Sequence, residues 1–201
     1  LTITPHEYER LRLTYQGGFT HANPLYVDDI MENVRSKDFT SSYPTVLIAE
    51  KYPMSRGRRV KLKDTQRKDN GAIKLFENLR KNDYCFLCQI YFKGLKSKIE
   101  QDCYISKSKC EFIDGCKISN GRVYEADELI TNITDIDLDI IKEVYTWESM
   151  EIAVLYIYKL KYLPKALVEC IIDFYFGKTT LKDGKGKELE YQKKKELLNA
   201  I

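Results

Sequence analysis

The sequence predicts an α+β fold. Two runs have strand composition, residues 84–92 and the tyrosine-rich, β-branched stretch 151–162. Asn120-Gly121, between Lys117-Ile118-Ser119 and Arg122-Val123-Tyr124, is a hairpin signal. Separate stretches repeat their apolar residues at helical spacing behind cap residues. At 201 residues, 43% hydrophobic and 12% aromatic, the chain can bury a core as one domain or two small ones.

Thr4-Pro5-His6-Glu7 is a capping box with proline at the first helical position, and Tyr8, Leu11 and Tyr15 follow at i, i+3 and i+7. Gly17-Gly18 then stops the helix, since both glycines can take positive φ. Asn33–Lys37 can run as a short strand. Tyr43 to Glu50 reads as a helix, with Ser42 or Tyr43 near its cap and Pro44 at the first helical position. Asn70 can cap the next helix, which places Ala72, Leu75, Phe76 and Leu79 on one face ahead of the strand at 84–92. From Lys93 to about Ala126, turns alternate with short strands. Thr134-Asp135-Ile136-Asp137 opens a helix carrying Leu138, Ile141 and Tyr145, its acids favoured by the helix dipole. In the strand from Glu151 to Tyr162, Tyr156, Tyr158, Leu160 and Tyr162 share a face. Pro164 begins a helix with the stripe Leu167, Ile171, Phe174 that ends at Gly177, and after the turn at 183–186 a lysine-rich helix runs to the end. No internal repeat is visible.

The net charge of +3 is too small to argue for nucleic acid by itself. Distribution says more, because seven basic residues and one acid lie between Arg56 and Lys68, a local footprint for phosphate or a solvated loop. No stretch reaches the roughly 20 apolar residues of a membrane span and no leader opens the chain, so a cytoplasmic protein without a membrane partner is expected. Cys85 and Cys88 lie three apart in a predicted strand and face opposite ways, and Cys103, Cys110 and Cys116 lack a second Cys-x-x-Cys or a nearby His, so reduced thiols are expected rather than zinc. The acids at 135–139 are no EF-hand, since Ile140 and Thr146 stand where glycine and glutamate are needed.

Asp38-Phe39-Thr40-Ser41-Ser42-Tyr43-Pro44 places an acid between the predicted strand and the predicted helix. A carboxylate at a strand end can point into a cleft and hold Mg²⁺, although a lone Asp is more often a turn residue. Two other segments give it context. Tyr15-Gln16-Gly17-Gly18 resembles the Tyr-x-Gly-Gly segment of family B DNA polymerases, Asp38 to Pro44 their first metal motif, and Lys195-Glu196-Leu197-Leu198-Asn199 the start of their Lys-x-x-x-Asn helix. The three stand in the family's order and span nearly the whole chain. The gap from Asp38 to Lys195 has room for the subdomain inserted in the bacteriophage and plasmid group, which includes the protein-primed enzymes.

The resemblance implies a partial palm of antiparallel sheet, a small inserted α+β subdomain and a two-helix fingers fragment: palm at 1–92, insertion at 93–133, return helix and strand at 134–163, truncated fingers at 164–201. It implies template-directed DNA synthesis with two Mg²⁺ ions, on a DNA primer-template with deoxynucleoside triphosphates and, in the protein-primed group, a terminal priming protein. Asp38 is then the catalytic metal-bridging acid and the Phe39 carbonyl a further oxygen ligand. Tyr43 lies under the sugar of the incoming nucleotide, and Lys178, Lys195 and Asn199 meet that nucleotide. Tyr15, Gly17 and Gly18 handle primer-template DNA, joined by Arg56, Arg58 and Arg59 of the basic run. Ser42 stands where the family usually has leucine, and Ala200 where it has serine.

The family's second aspartate motif follows the Lys-x-x-x-Asn helix, so Asp135-Ile136-Asp137 is not that motif, and the 201 residues carry one metal acid of two. The sequence opens on Leu1 and stops inside a helical pattern at Ile201. It is therefore expected to be an excised piece of a phage- or plasmid-encoded polymerase working in a bacterial cytoplasm, inactive alone. A module that holds DNA or a priming protein without chemistry is the other reading.

Overall fold

A computed structural model describes residues 2–15, 26, 28–37, 39, 42–100, 103–182 and 186–200. The fold is α+β with an antiparallel sheet. The chain divides into two compact units, Leu1–His21 with Ser55–Leu160, and Ala22–Met54 with Lys161–Ile201.

In the first unit, the central strand β3 (Tyr84–Ser97) pairs antiparallel with β6 (Arg122–Thr134) on one edge and β8 (Ser149–Lys161) on the other. The short β2 (Arg58–Arg59) extends the sheet beyond β8; β4 (Cys110–Asp114) and β5 (Lys117–Ser119) line the far edge of β6, and β7 (Tyr145–Thr146) meets the end of β3. The hairpin forms as the sequence predicts: Asn120 and Gly121 both have positive φ, and Ser119 faces Arg122 in register. β6 runs much further than the sequence suggested, because Ile130, Thr131 and Ile133 are β-branched and the strand pairs along nearly its whole length with β3.

Alternation along β3 sends its side chains to two different layers. Phe86, Cys88, Ile90 and Phe92 join the main core with Ala72 and Phe76 of α4 (Asp69–Lys81) and Leu138 and Ile141 of α5 (Asp135–Val144). Cys85 and Leu87 turn the other way, to a smaller cluster with Tyr158 and with Leu11 of α1 (Pro5–Thr14). The two cysteines do point to opposite faces. Among the described residues all six thiols are unbridged; burial pushes Cys85 up to about 12, and Cys110 likewise.

Helix starts follow the sequence where a cap is local. Thr4 with Glu7, and Thr134 with Asp137, form reciprocal capping boxes. Asn70 is no cap: α4 begins at Asp69, whose positive φ of 43° is held by its carboxylate accepting the Met150 amide at 2.8 Å. A Cβ on Gly71 would lie 1.9 Å from the Thr65 carbonyl of α3 (Asp64–Arg67), which is why a glycine stands in this first turn. Tyr145, expected in the α5 stripe, leaves the helix; its buried hydroxyl donates to the Val123 carbonyl and accepts from the Ile105 amide. On α1 the buried residues are Glu7 and Thr14, while Tyr8 and Tyr15 are exposed, so the helix turns its polar capping acid inward.

The second unit contains α2 (Ser42–Ala49), the short β1 (Tyr52–Pro53), α6 (Lys165–Leu181) and α7 (Glu188–Asn199). No strand forms at 33–37: Asn33 has φ 59°, Val34 is exposed, and the segment pairs with no strand among the described residues. Pro44 is the third residue of α2 rather than the first, which costs no hydrogen bond because the first-turn amides have no intrahelical acceptor. α6 does not stop at Gly177 but continues to Leu181. Its glycine is needed for packing, since a Cβ there would meet the Lys194 stem on α7 at 3.0 Å.

Phe76 stacks on Phe86 with ring centroids 4.2 Å apart, joining α4 to the central strand. Phe76→Ala is expected to destabilise the chain by about 3–5 kcal/mol in urea denaturation, through the lost transfer energy and the cavity. A second prediction concerns Glu7, buried and bonded to Thr4 and to the Tyr158 hydroxyl at 3.0 Å. Burial alone would raise its carboxyl, but the Thr4 and Tyr158 hydrogen bonds win and hold it below the ordinary carboxylate value. A depressed folded-state value means stability that is present above the unfolded value and lost as pH falls through the folded one. Wild type should therefore lose stability below about pH 4.5, the unfolded value, and Glu7→Gln should be less stable at neutral pH with a flatter acid limb, read as urea midpoints across pH.

Candidate functional site

The expected site residues fall in both units. Tyr43, in the first turn of α2, is 86% exposed, and Phe39 just ahead of it is 84% exposed. Neither ring belongs to a core cluster among the described residues. Asp38, Gly17 and Gly18 lie outside the described residues. Among the described residues no three His, Cys, Asp or Glu side chains come together to hold a metal, so without Asp38 they do not make a Mg²⁺ site.

α6 and α7 carry the expected nucleotide contacts. Lys178 lies in the last turn of α6 and is half-buried; Lys195 and Asn199 sit one turn apart on α7 and are both exposed. Ile171 and Leu198 are the buried residues of these two helices. Lys195 is chosen over its neighbours Lys193 and Lys194 because it stands four before Asn199. Lys194 is engaged within the unit: its ammonium lies 3.2 Å from the Asp173 carboxylate and 5.1 Å from the Phe174 ring centre, and its stem covers Gly177. Sequence reasoning missed this contact, and the glycine inside an apolar helical stripe was its signal.

The other expected residues belong to the first unit. Tyr15 follows the end of α1 and is 74% exposed. Arg56, Arg58 and Arg59 are exposed, the last two on β2, whose register sets Arg58 opposite Ile157 and Arg59 opposite Tyr156. Beneath this segment a Cβ on Gly57 would strike Glu7 Oε1 at 1.8 Å and the Tyr158 ring at 2.8 Å, so the basic run is pressed against the buried acid by a glycine. Sequence reasoning also missed a polar cluster on the sheet face: buried Asn132 accepts from Arg10 at 2.9 Å and donates to Glu111, which also accepts from Gln89 at 2.8 Å. Such a closed network ties α1 to β3, β4 and β6 and leaves no buried polar atom of Asn132 idle. No helix among the described residues is long and apolar enough to cross a membrane.

No protein-family profile and no curated protein matches the sequence. Solved structures do match the fold. Phi29 DNA polymerase complexed with primer-template DNA, in a post-translocation binary complex, aligns over 100% of this chain and 30% of its own at 17% identity, with a TM-score of 0.64. The same enzyme complexed with primer-template DNA and incoming nucleotide substrates aligns over 99% of this chain and 31% of its own, at 18% identity and a TM-score of 0.60; with single-stranded DNA it aligns over 100% and 30%, at 16% and 0.62. The chain thus spans about 30% of the length of these polymerases, and over that span it is similar to them in fold.

Proposed function

We propose that this chain is part of a family B DNA polymerase of the protein-primed-like phage and plasmid group, and that its chemistry is template-directed nucleotidyl transfer. The observation that supports this most is the coincidence of two independent signals. Three short motifs stand in the family's order along the sequence, and the whole of the chain aligns in fold with about 30% of a polymerase. Neither signal uses the other.

In this reading residues 1–92 are a palm portion, 93–133 the inserted subdomain, 134–163 the return to the palm and 164–201 the fingers. The Asp38 carboxylate and the Phe39 carbonyl would hold Mg²⁺, which would supply positive charge at the phosphoryl group being transferred. Tyr43 presents its exposed ring to the sugar of the incoming nucleotide, so that a ribose 2′ hydroxyl has no room. Lys178 and Lys195 place ammonium groups at the triphosphate, and Asn199 lies one turn beyond Lys195 along the same face. Tyr15, Gly17, Gly18 and the arginines 56, 58 and 59 contact primer-template DNA. Deoxynucleoside triphosphates and primer-template DNA are the substrates, and a priming protein is a further partner.

Primer extension tests the reading. The 201 residues alone should give no product with Mg²⁺ and nucleotides, whereas the longer polypeptide that contains them should extend a primer. In that polypeptide Asp38→Ala should lower the rate by roughly 10³-fold, about 4 kcal/mol of lost charge stabilisation. Undiminished synthesis by that variant overturns the assignment. Tyr43→Val in the same polypeptide should raise ribonucleotide use on the order of 10- to 100-fold relative to deoxynucleotide use. Discrimination unchanged from wild type removes Tyr43 from that role.

A further inference from the structure

Residues 58–63 form an edge with two characters. Val60 and Leu62 pack against the main core, and the Val60 amide continues the β2 pairing by donating to the Leu155 carbonyl at 2.9 Å. Between and beside them, Arg59, Lys61 and Lys63 are exposed, and Lys63 still has an extended backbone, φ −76° and ψ 154°. Exposure therefore alternates with period two from residue 59 to 63, which places three cations along one side of an extended segment, about 7 Å between neighbours. Lys68, further along, is not part of the row, because it faces Glu151 at 3.4 Å. Asp64 is the single acid of the run.

Beside the row lies an open groove of about 560 Å³, lined by Arg59, Lys61 and Arg67 and by the aliphatic side chains of Leu62, Ala153 and Val154. That volume is in the range of small-molecule clefts. Its walls supply the two things a single nucleic-acid strand offers to bind, charge for the phosphates and apolar surface for sugar and base.

We propose that Arg59, Lys61 and Lys63 contact successive phosphates of one single DNA strand, which lays its sugars and bases over the aliphatic groove beside them. Lys61, Lys63 and Arg67 thereby become binding residues in addition to the arginines of the same run. The inference rests on the reading of this chain as part of a DNA-handling protein. It does not depend on catalysis, and neither does its test.

The experiment is fluorescence anisotropy of the 201-residue chain with a labelled oligo-dT of about 16 nucleotides, titrated between about 50 and 200 mM NaCl, with a duplex of equal length as the second probe. Each phosphate contact on a single strand contributes about 0.7 to the slope of log K against log salt, so Lys61→Ala/Lys63→Ala should lower the slope by about 1.4 and weaken binding at low salt. Lys61→Arg/Lys63→Arg should keep the wild-type slope. Lys107→Ala/Lys142→Ala, at exposed lysines on other elements, should also keep it. All four replaced lysines are outside the core, and unchanged circular dichroism confirms folding. The proposal is overturned if the wild type does not bind the strand, if it prefers the duplex, or if the double alanine variant keeps the wild-type slope and affinity. Failure here is separable from failure of the polymerase reading: strand binding by a chain whose longer polypeptide cannot extend a primer sinks only the latter, and an active polypeptide with no strand binding by this chain sinks only the former.

Discussion

Strand β3 is hydrogen-bonded along both edges and buried on both faces over its first half, and the first unit is organised around that constraint. A strand with no solvent face must be apolar at nearly every position, which is why residues 85–88 read as an unbroken hydrophobic run instead of an alternation. Both layers then follow. One face receives α4 and α5 through Phe76, Leu138 and Ile141, and the other receives α1 through Leu11. The first layer is mainly apolar, with the Tyr145 hydroxyl bonded inside it. The second is mixed, with Glu7 bonded to Tyr158 and with Asn132 closed into a network by Arg10 and Glu111.

That difference between layers governs how the basic segment is presented. Gly57 lets the chain pass directly over Glu7 and Tyr158, and the next residues join the edge of β8. The cations of 58–63 thus stand on a backbone fixed by sheet hydrogen bonds and by two apolar anchors. Few of them have a structural task of their own, in contrast to Lys68 and Lys194, each of which faces a carboxylate.

The sequence revealed most where the determinant was local. The capping box at Thr4–Glu7, the helix start at Thr134, the Asn-Gly hairpin, the opposite facing of Cys85 and Cys88 and the existence of α2 needed only neighbours within a few residues. What it did not reveal was set by distant partners. β6 extends because β3 lies beside it, and α6 passes Gly177 because Lys194 packs there. Asn33–Lys37 fails as a strand because pairing, not composition, makes one. Of the candidate site, Tyr43, Lys195 and Asn199 were placed on helices by local sequence, and their roles came from the resemblance; their exposure was seen only in the structure. Which of the three adjacent lysines was occupied elsewhere could be seen only once Asp173 and Phe174 were placed against Lys194.

The unbridged thiols have a use of their own. Cys85, Cys88 and Cys103 are buried, and in Cys85 and Cys88 desolvation disfavours the thiolate that alkylating reagents attack. Reagent uptake at Cys85 and Cys88 consequently requires β3 to be uncovered. Mass spectrometry after brief alkylation would count those openings, giving the first unit a stopwatch for its own breathing without any introduced label.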